Sequence, residues 1–218
     1  MAVSVEIKFC GLTRAEDALA AGELGAHYVG VVFAEGSVRR LDPSRAAAVL
    51  DAAGEQAQRA GIFGTLDVRE VSRVARTARL HVAQLHGDPD ASQVRAVREV
   101  AGVAVWAVIR VHGNALPAHF EELAEAADAV VLDTYTPGRL GGTGVPFDWR
   151  AIGRLPLAGV ARRVAAGGLT PANVTEALAA LAPDVVDVSS GVECEPGIKD
   201  HARMRAFVDA VRRWEREP

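Results

Sequence analysis

A thiol and a carboxyl stand at the ends of two strand-like runs, where proton-transfer chemistry would use them. Cys10 closes Glu6-Ile7-Lys8-Phe9-Cys10 just before Gly11, and Asp133 closes the apolar run Val130-Val131-Leu132. Such a pair offers a nucleophile or base and a separate acid. Side chains alternate along a strand, so Val5, Ile7 and Phe9 face one way while Glu6, Lys8 and Cys10 face the other. A free thiol titrates near ~8.5 and a neighbouring cation lowers that value, so Lys8 is expected to ease Cys10 toward the thiolate. Lys8 has a second reading. In a closed barrel, an inward Asp187 in Val185-Val186-Asp187-Val188 would adjoin it and make it a brace. Asp133 shares a face with Val131, and desolvation there would raise its pKa and suit it to general acid work. The alternative is a turn cap through Thr134 or Tyr135.

Other residues could bind rather than react. Gln84 and His86 face the same way in Gln84-Leu85-His86-Gly87, which makes His86 a substrate contact or a packed, hydrogen-bonded imidazole. Gly167-Gly168 and Ser189-Ser190-Gly191 each follow a strand-like run. In parallel barrels the loops after strands 7 and 8 hold phosphate, with backbone N–H groups facing the anion. Gly168, Ser190 and Gly191 are therefore expected to meet a phosphorylated ligand. Arg39, next to Arg40, could fork onto a substrate carboxylate or simply be a solvated loop charge. The glycine-rich stretch from Thr134 to Pro146 reads as a cover or binding loop, with Gly142 as its candidate contact. No H-E-x-x-H, ligand-spaced cysteine pair or dense His/Asp cluster is present, so no metal is expected. Cys194 reads as a loop residue without a role.

Elements that could gather these groups run from end to end. Strands are expected at 5–10, 27–33, 59–64, 82–86, 103–110, 129–134, 162–167 and 185–190. Helices are expected at 14–24, 43–53, 68–78, 90–101, 116–127, 148–153, 171–181 and 200–215. The strands are rich in β-branched residues and almost continuously apolar, as strands buried on both faces should be. Asp42-Pro43 and Thr170-Pro171 look like caps before a first-turn proline, and Thr13 and Asp67 offer similar caps. Repeated β-then-α units predict an α/β fold, a single-domain (β/α)8 TIM barrel over 1–218. The rival, a doubly wound sheet, lacks its G-x-G-x-x-G fingerprint.

Composition narrows the partners. With 218 residues, half of them hydrophobic, the chain can bury a large core. A net charge of −4 argues against nucleic acid. Neither a membrane-length apolar run nor a signal-peptide pattern is seen, and two cysteines do not make a disulfide scaffold, so a cytoplasmic setting is expected. Of 24 basic residues only Lys8 and Lys199 are lysines. Where arginine is the default cation, a compact ammonium invites a chemical reason, or else it merely packs.

The motifs now resemble a family. KFCGLT at 8–13, QLHG at 84–87, LDT at 132–134, GGTG at 141–144, FDW at 147–149, AGGLTPANV at 166–174, DVSSGVE at 187–193 and PGIKD at 196–200 are similar, in order, to those of phosphoribosylanthranilate isomerases. The resemblance implies a cofactor-free barrel that converts N-(5-phosphoribosyl)anthranilate to the carboxyphenylamino-deoxyribulose phosphate by an Amadori rearrangement in tryptophan biosynthesis. By position it implies that Cys10 is the general base at sugar C2 and Asp133 the general acid at the ring oxygen. Arg39 falls at the residue contacting the anthranilate end, and Gly168, Ser190 and Gly191 fall in the phosphate loops. A monomer or homodimer is expected. Two departures stand out: Phe9, where isoleucine is usual, and GIFGTLDV at 61–68. The related histidine-pathway isomerase uses two aspartates, a Schiff-base aldolase needs an inward lysine at a strand end, and a metal-dependent epimerase needs ligands absent here. A non-catalytic phosphate-binding barrel would need neither Cys10 nor Asp133.

Overall fold

The computed structural model describes residues 4–111, 116–134, 149–153 and 162–217. Eight parallel strands close into a barrel in chain order: β1 (Glu6–Phe9), β2 (Tyr28–Val32), β3 (Gln58–Phe63), β4 (Val82–Leu85), β5 (Ala104–Val111), β6 (Ala129–Thr134), β7 (Arg163–Ala165) and β8 (Val185–Val188). Around them lie α1 (Ala15–Glu23), α2 (Pro43–Asp51), α3 (Val68–Thr77), α4 (Ala91–Ala101), α5 (Phe120–Ala126), α6 (Trp149–Gly153), α7 (Val174–Leu181) and α8 (His201–Arg216).

Helices outside and side chains inside bury both faces of the strands, which is why the runs are apolar throughout. Ile7 and Phe9 of β1 join the outer core, where the Phe9 and Phe207 ring centroids lie 6.3 Å apart. The aromatic ring at position 9 thus packs outward, against α8. A separate inner cluster includes Tyr28, Trp106, Val131, Val164 and Val185. At the N-terminal end Arg162 donates to Glu6 Oε2 at 2.6 Å and to Tyr28 Oη at 3.0 Å, while Tyr28 meets Trp106 edge-on. That end is plugged, so a ligand must enter from the other.

Local capping explains several helix starts. Asp42 accepts from Ser44 N, Asp67 from Glu70 N, and Asp90 forms a reciprocal capping box with Gln93. Two expected caps are absent. Thr13 donates its hydroxyl to the Gly197 carbonyl at 2.5 Å, leaving Arg14 at the start of α1 without a side-chain cap. At Thr170-Pro171 the chain turns, and α7 begins only at Val174. Asn173 Oδ1 accepts from Thr170 N at 2.7 Å and its amide donates to the Gly168 carbonyl at 2.9 Å, so this side chain shapes the β7 loop. The N-terminal part of the helix expected from 116 is a turn through Pro117.

Past β8 the chain makes a 3-10 turn (Ser190–Val192) and then an antiparallel hairpin, β9 (Glu193–Glu195) with β10 (Ile198–Lys199). This hairpin was not expected. Cys194 lies exposed on β9 rather than in a loop.

Candidate active site

One cleft opens at the C-terminal mouth of the barrel, and Cys10, Arg39, His86, Asp133, Gly168 and Ser190 all line it. Cys10 follows β1, His86 follows β4, and Asp133 is the inward residue near the end of β6, 7% exposed. Gly191 stands just behind the lining. A Cβ there would lie 1.8 Å from the Leu169 carbonyl oxygen, so the loops after β7 and β8 touch backbone to backbone. Gly168 carries φ +67°, a left-handed conformation that glycine adopts without strain. Gly142 and the rest of the expected binding loop from Tyr135 to Pro146 lie outside the described residues.

Beneath the cleft runs a buried polar chain. Register places Lys8 of β1 opposite Asp187 of β8, and the ammonium reaches Asp187 Oδ2 at 2.6 Å. Lys8 is thus the brace that the strand order anticipated. It also donates to Gln84 Oε1 at 2.9 Å, which orients the Gln84 amide so that its NH2 faces His86 Nε2, 2.9 Å away. With Nε2 accepting, the imidazole carries its proton on Nδ1. Burial, then Lys8 and Arg110, push the His86 pKa down to about 3, so the ring is neutral at ordinary pH. Burial would depress the Lys8 ammonium, yet Asp187 and Cys10 outweigh it and hold the pKa above its usual value. Asp187 Oδ1 is buried without a hydrogen-bond partner among the described residues, and Asp187 lines the cleft.

The cation lowers the Cys10 pKa as the sequence suggested, but burial outweighs it. Burial pushes the thiol up, Lys8 pulls it down, the Asp187 carboxylate adds to burial, and Lys199 opposes it; the net direction is upward. Asp187 offsets part of the Lys8 field at the sulfur, and burial decides the direction. The resting group is a thiol.

Arg39 is neither solvated nor waiting with an empty fork. Its Nε and Nη2 donate to Glu193 Oε1 and Oε2 at 2.8 and 2.6 Å, and Lys199 Nζ donates to the same Oε1 at 2.7 Å. Burial pushes the Glu193 carboxyl up, but Arg39 and Lys199 hold it below the usual range. Sequence reading missed Glu193, and its one available signal was Lys199, a lysine in an arginine-rich chain. It also treated Asp187 only as the partner of Lys8 and missed its open oxygen.

A plugged parallel barrel with its polar groups and glycine-bearing loops collected at the C-terminal mouth places the chain among the (β/α)8-barrel enzymes. The family model for N-(5'-phosphoribosyl)anthranilate (PRA) isomerase matches residues 7–210, and the chain belongs to that family. Its activity is accordingly the isomerisation of N-(5'-phosphoribosyl)anthranilate in tryptophan biosynthesis. A curated N-(5'-phosphoribosyl)anthranilate isomerase from Stenotrophomonas maltophilia is 42% identical over 209 residues, covering 95% of this chain and 93% of the relative. The crystal structure of phosphoribosyl anthranilate isomerase from Thermus thermophilus superposes with a TM-score of 0.84 at 38% identity, covering 96% and 99% of the two chains. A further solved isomerase, in complex with reduced 1-(o-carboxyphenylamino)-1-deoxyribulose 5-phosphate, gives 0.81 at 31% identity, again covering 96% and 99%.

Proposed function

We propose that this chain performs the rearrangement with Asp133 as general acid and Cys10 as general base. The observation that carries the assignment is their placement. Strands β1 and β6 present the two groups on different walls of one cleft whose rim includes the glycine loops after β7 and β8. An aldose-to-ketose shift needs an acid and a base on different sides of a sugar, without redox chemistry. Asp133 protonates the ribose ring oxygen, and the ring opens to an iminium. Cys10, as the thiolate, then removes the C2 proton, and the resulting enamine tautomerises to the ketose. The substrate phosphate sits against Gly168, Ser190 and Gly191, where backbone N–H groups can face it. His86 contributes an Nδ1–H donor, and Arg39 faces the carboxylate of the anthranilate ring. Gly142 is assigned to the same ligand site from its motif alone. Anchoring the phosphate far from the reacting carbons restricts the sugar before chemistry begins.

The same reading gives one catalytic domain across 1–218, working in the cytoplasm as a monomer or homodimer. No helix among the described residues is long and apolar enough to cross a membrane. The decisive assay follows consumption of the fluorescent substrate by purified protein without added metal or nucleotide. Cys10→Ser and Asp133→Asn should each lower kcat by about 10²-fold or more. Full turnover by either variant overturns that residue's role.

A further inference from the structure

Glu193 and Lys199 take no part in the proton transfers, yet both are charged and buried, at 7% and 3% exposed. They sit on the hairpin that sequence reading missed. Glu193 Oε1 receives both Arg39 Nε and Lys199 Nζ, and Oε2 receives Arg39 Nη2. Lys199 is anchored a second time on the Ser189 carbonyl at 3.1 Å. One carboxylate thus serves two cations. The cluster is left with one positive charge in excess beside the cleft, an arrangement that favours an incoming anion.

Geometry says where that anion goes. A guanidinium offers two forked edges in its plane, Nε with Nη2 and Nη1 with Nη2. Glu193 occupies the first. Among the described residues no partner takes Nη1, so the second edge is open. The stem is held as firmly as the head. Arg39 passes over Gly11, where a Cβ would stand 2.6 Å from its Cδ. The hairpin itself is tied down by the bond from the Thr13 hydroxyl to the Gly197 carbonyl.

We propose that the β9–β10 hairpin is a positioning device: Glu193, pinned by Lys199, holds the side-on edge of Arg39 so that its end-on edge meets an aryl carboxylate of the substrate. Glu193 and Lys199 are positioning residues that act through Arg39 and need not touch the ligand. The inference rests on the reading above, in which Arg39 faces the anthranilate end. It deepens that reading by explaining why a cation already paired with an acid can still recognise a second one. A fork ordered before binding loses less side-chain freedom when the ligand arrives.

The test uses two probes, reduced 1-(o-carboxyphenylamino)-1-deoxyribulose 5-phosphate and the same molecule without its carboxyl group. Each is titrated calorimetrically into the wild-type chain and Glu193→Gln, with thermal unfolding recorded for both proteins. In the wild type the carboxylated probe binds more tightly. In Glu193→Gln its Kd rises about tenfold or more, whereas the Kd of the decarboxylated probe moves by less than about twofold. Equal losses for both probes, no loss, or tighter binding of the carboxylated probe through the unmasked positive charge would each overturn the proposal. A crystal structure of the wild type with the carboxylated probe decides the matter without any variant that must fold. Supporting it are an intact Arg39–Glu193 fork and a ligand carboxylate on Nη1 and Nη2; release of Arg39 from Glu193 to reach the ligand overturns it. Failure of the underlying reading looks different, because the wild type would then bind neither probe or would bind both equally.

Discussion

Cys10 has to be a base in a place that favours the acid form. Burial raises its pKa above that of an ordinary thiol, Lys8 counters, Asp187 reinforces burial, and Lys199 counters again, with burial prevailing. The thiolate is therefore a minor species at neutral pH, though an intrinsically reactive one. The working fraction should grow about tenfold per pH unit until the thiol has titrated. The protonated Asp133 acid and the Cys10 thiolate change in opposite directions with pH, so kcat/KM reports their product, and the thiolate is read from its own reactivity between pH 7 and 9. Alkylation of Cys10 by iodoacetamide in the ligand-free protein should climb across that range with the thiolate fraction. Fast alkylation that is already independent of pH from pH 7 onward would mean that Lys8 and Lys199 outweigh burial. His86 does not contribute to such a profile, because a ring with pKa about 3 stays neutral across the whole range.

At the scale of elements, the strands were legible because two-residue alternation and continuous apolarity are local properties. The pairing of Lys8 with Asp187 followed once strand order implied that β8 closes on β1. Helix starts were legible where the cap bonds to its own first turn, as at Asp42 and Asp67. They were misread where the side chain has a better partner elsewhere: Thr13 bonds to Gly197, and Asn173 rather than Thr170 organises the β7 loop. The Arg39–Glu193 fork joins residues 154 apart, beyond any local pattern, and the hairpin carrying Glu193 is too short for alternation to show. Cys10 was placed correctly but its ionisation was not, because desolvation is set by the whole barrel. The turn after β1 offers a test of how these pieces interlock. Gly11 has φ +72°, and a Cβ there would also lie 2.9 Å from Ser189 Oγ. Gly11→Ala should destabilise the fold by about 1–2 kcal/mol in urea unfolding through strain and crowding. It should also weaken binding of the carboxylated ligand by displacing Arg39. Unaltered stability and affinity would show that the turn can be rebuilt around an ordinary residue.

For the molecule as a whole, the buried charges that serve the site also limit where the barrel is stable. His86 protonates near its ordinary 6.5 when unfolded but only at about 3 when buried. Between these values the unfolded chain binds more protons than the native one, so acidification favours unfolding. Each pH unit in that window removes up to about 1.4 kcal/mol from this group alone. Glu193 and Asp17 act in the same direction at lower pH. Burial raises both carboxyls, but Arg39 and Lys199 hold Glu193 down, while Arg14, His201 and the Lys199 amide hold Asp17 down. Their contributions are complete above the ordinary values of 4.5 and 3.8 and fade as pH falls through the still lower native values. His86 therefore carries the largest share of the first acid loss, between pH 6.5 and 4.5. His27 and His81, whose pKa values burial also lowers, act in the same direction before the carboxylates join. His86→Asn, compared with the wild type by urea unfolding at pH 7 and pH 5, isolates it. Whatever its stability at pH 7 without the bond to Gln84, the variant should lose markedly less stability on going to pH 5. Parallel losses in the two proteins would mean that the buried ring takes up its proton as readily as the unfolded one, and that the neutral Nδ1–H donor assigned to the cleft is not what the substrate meets.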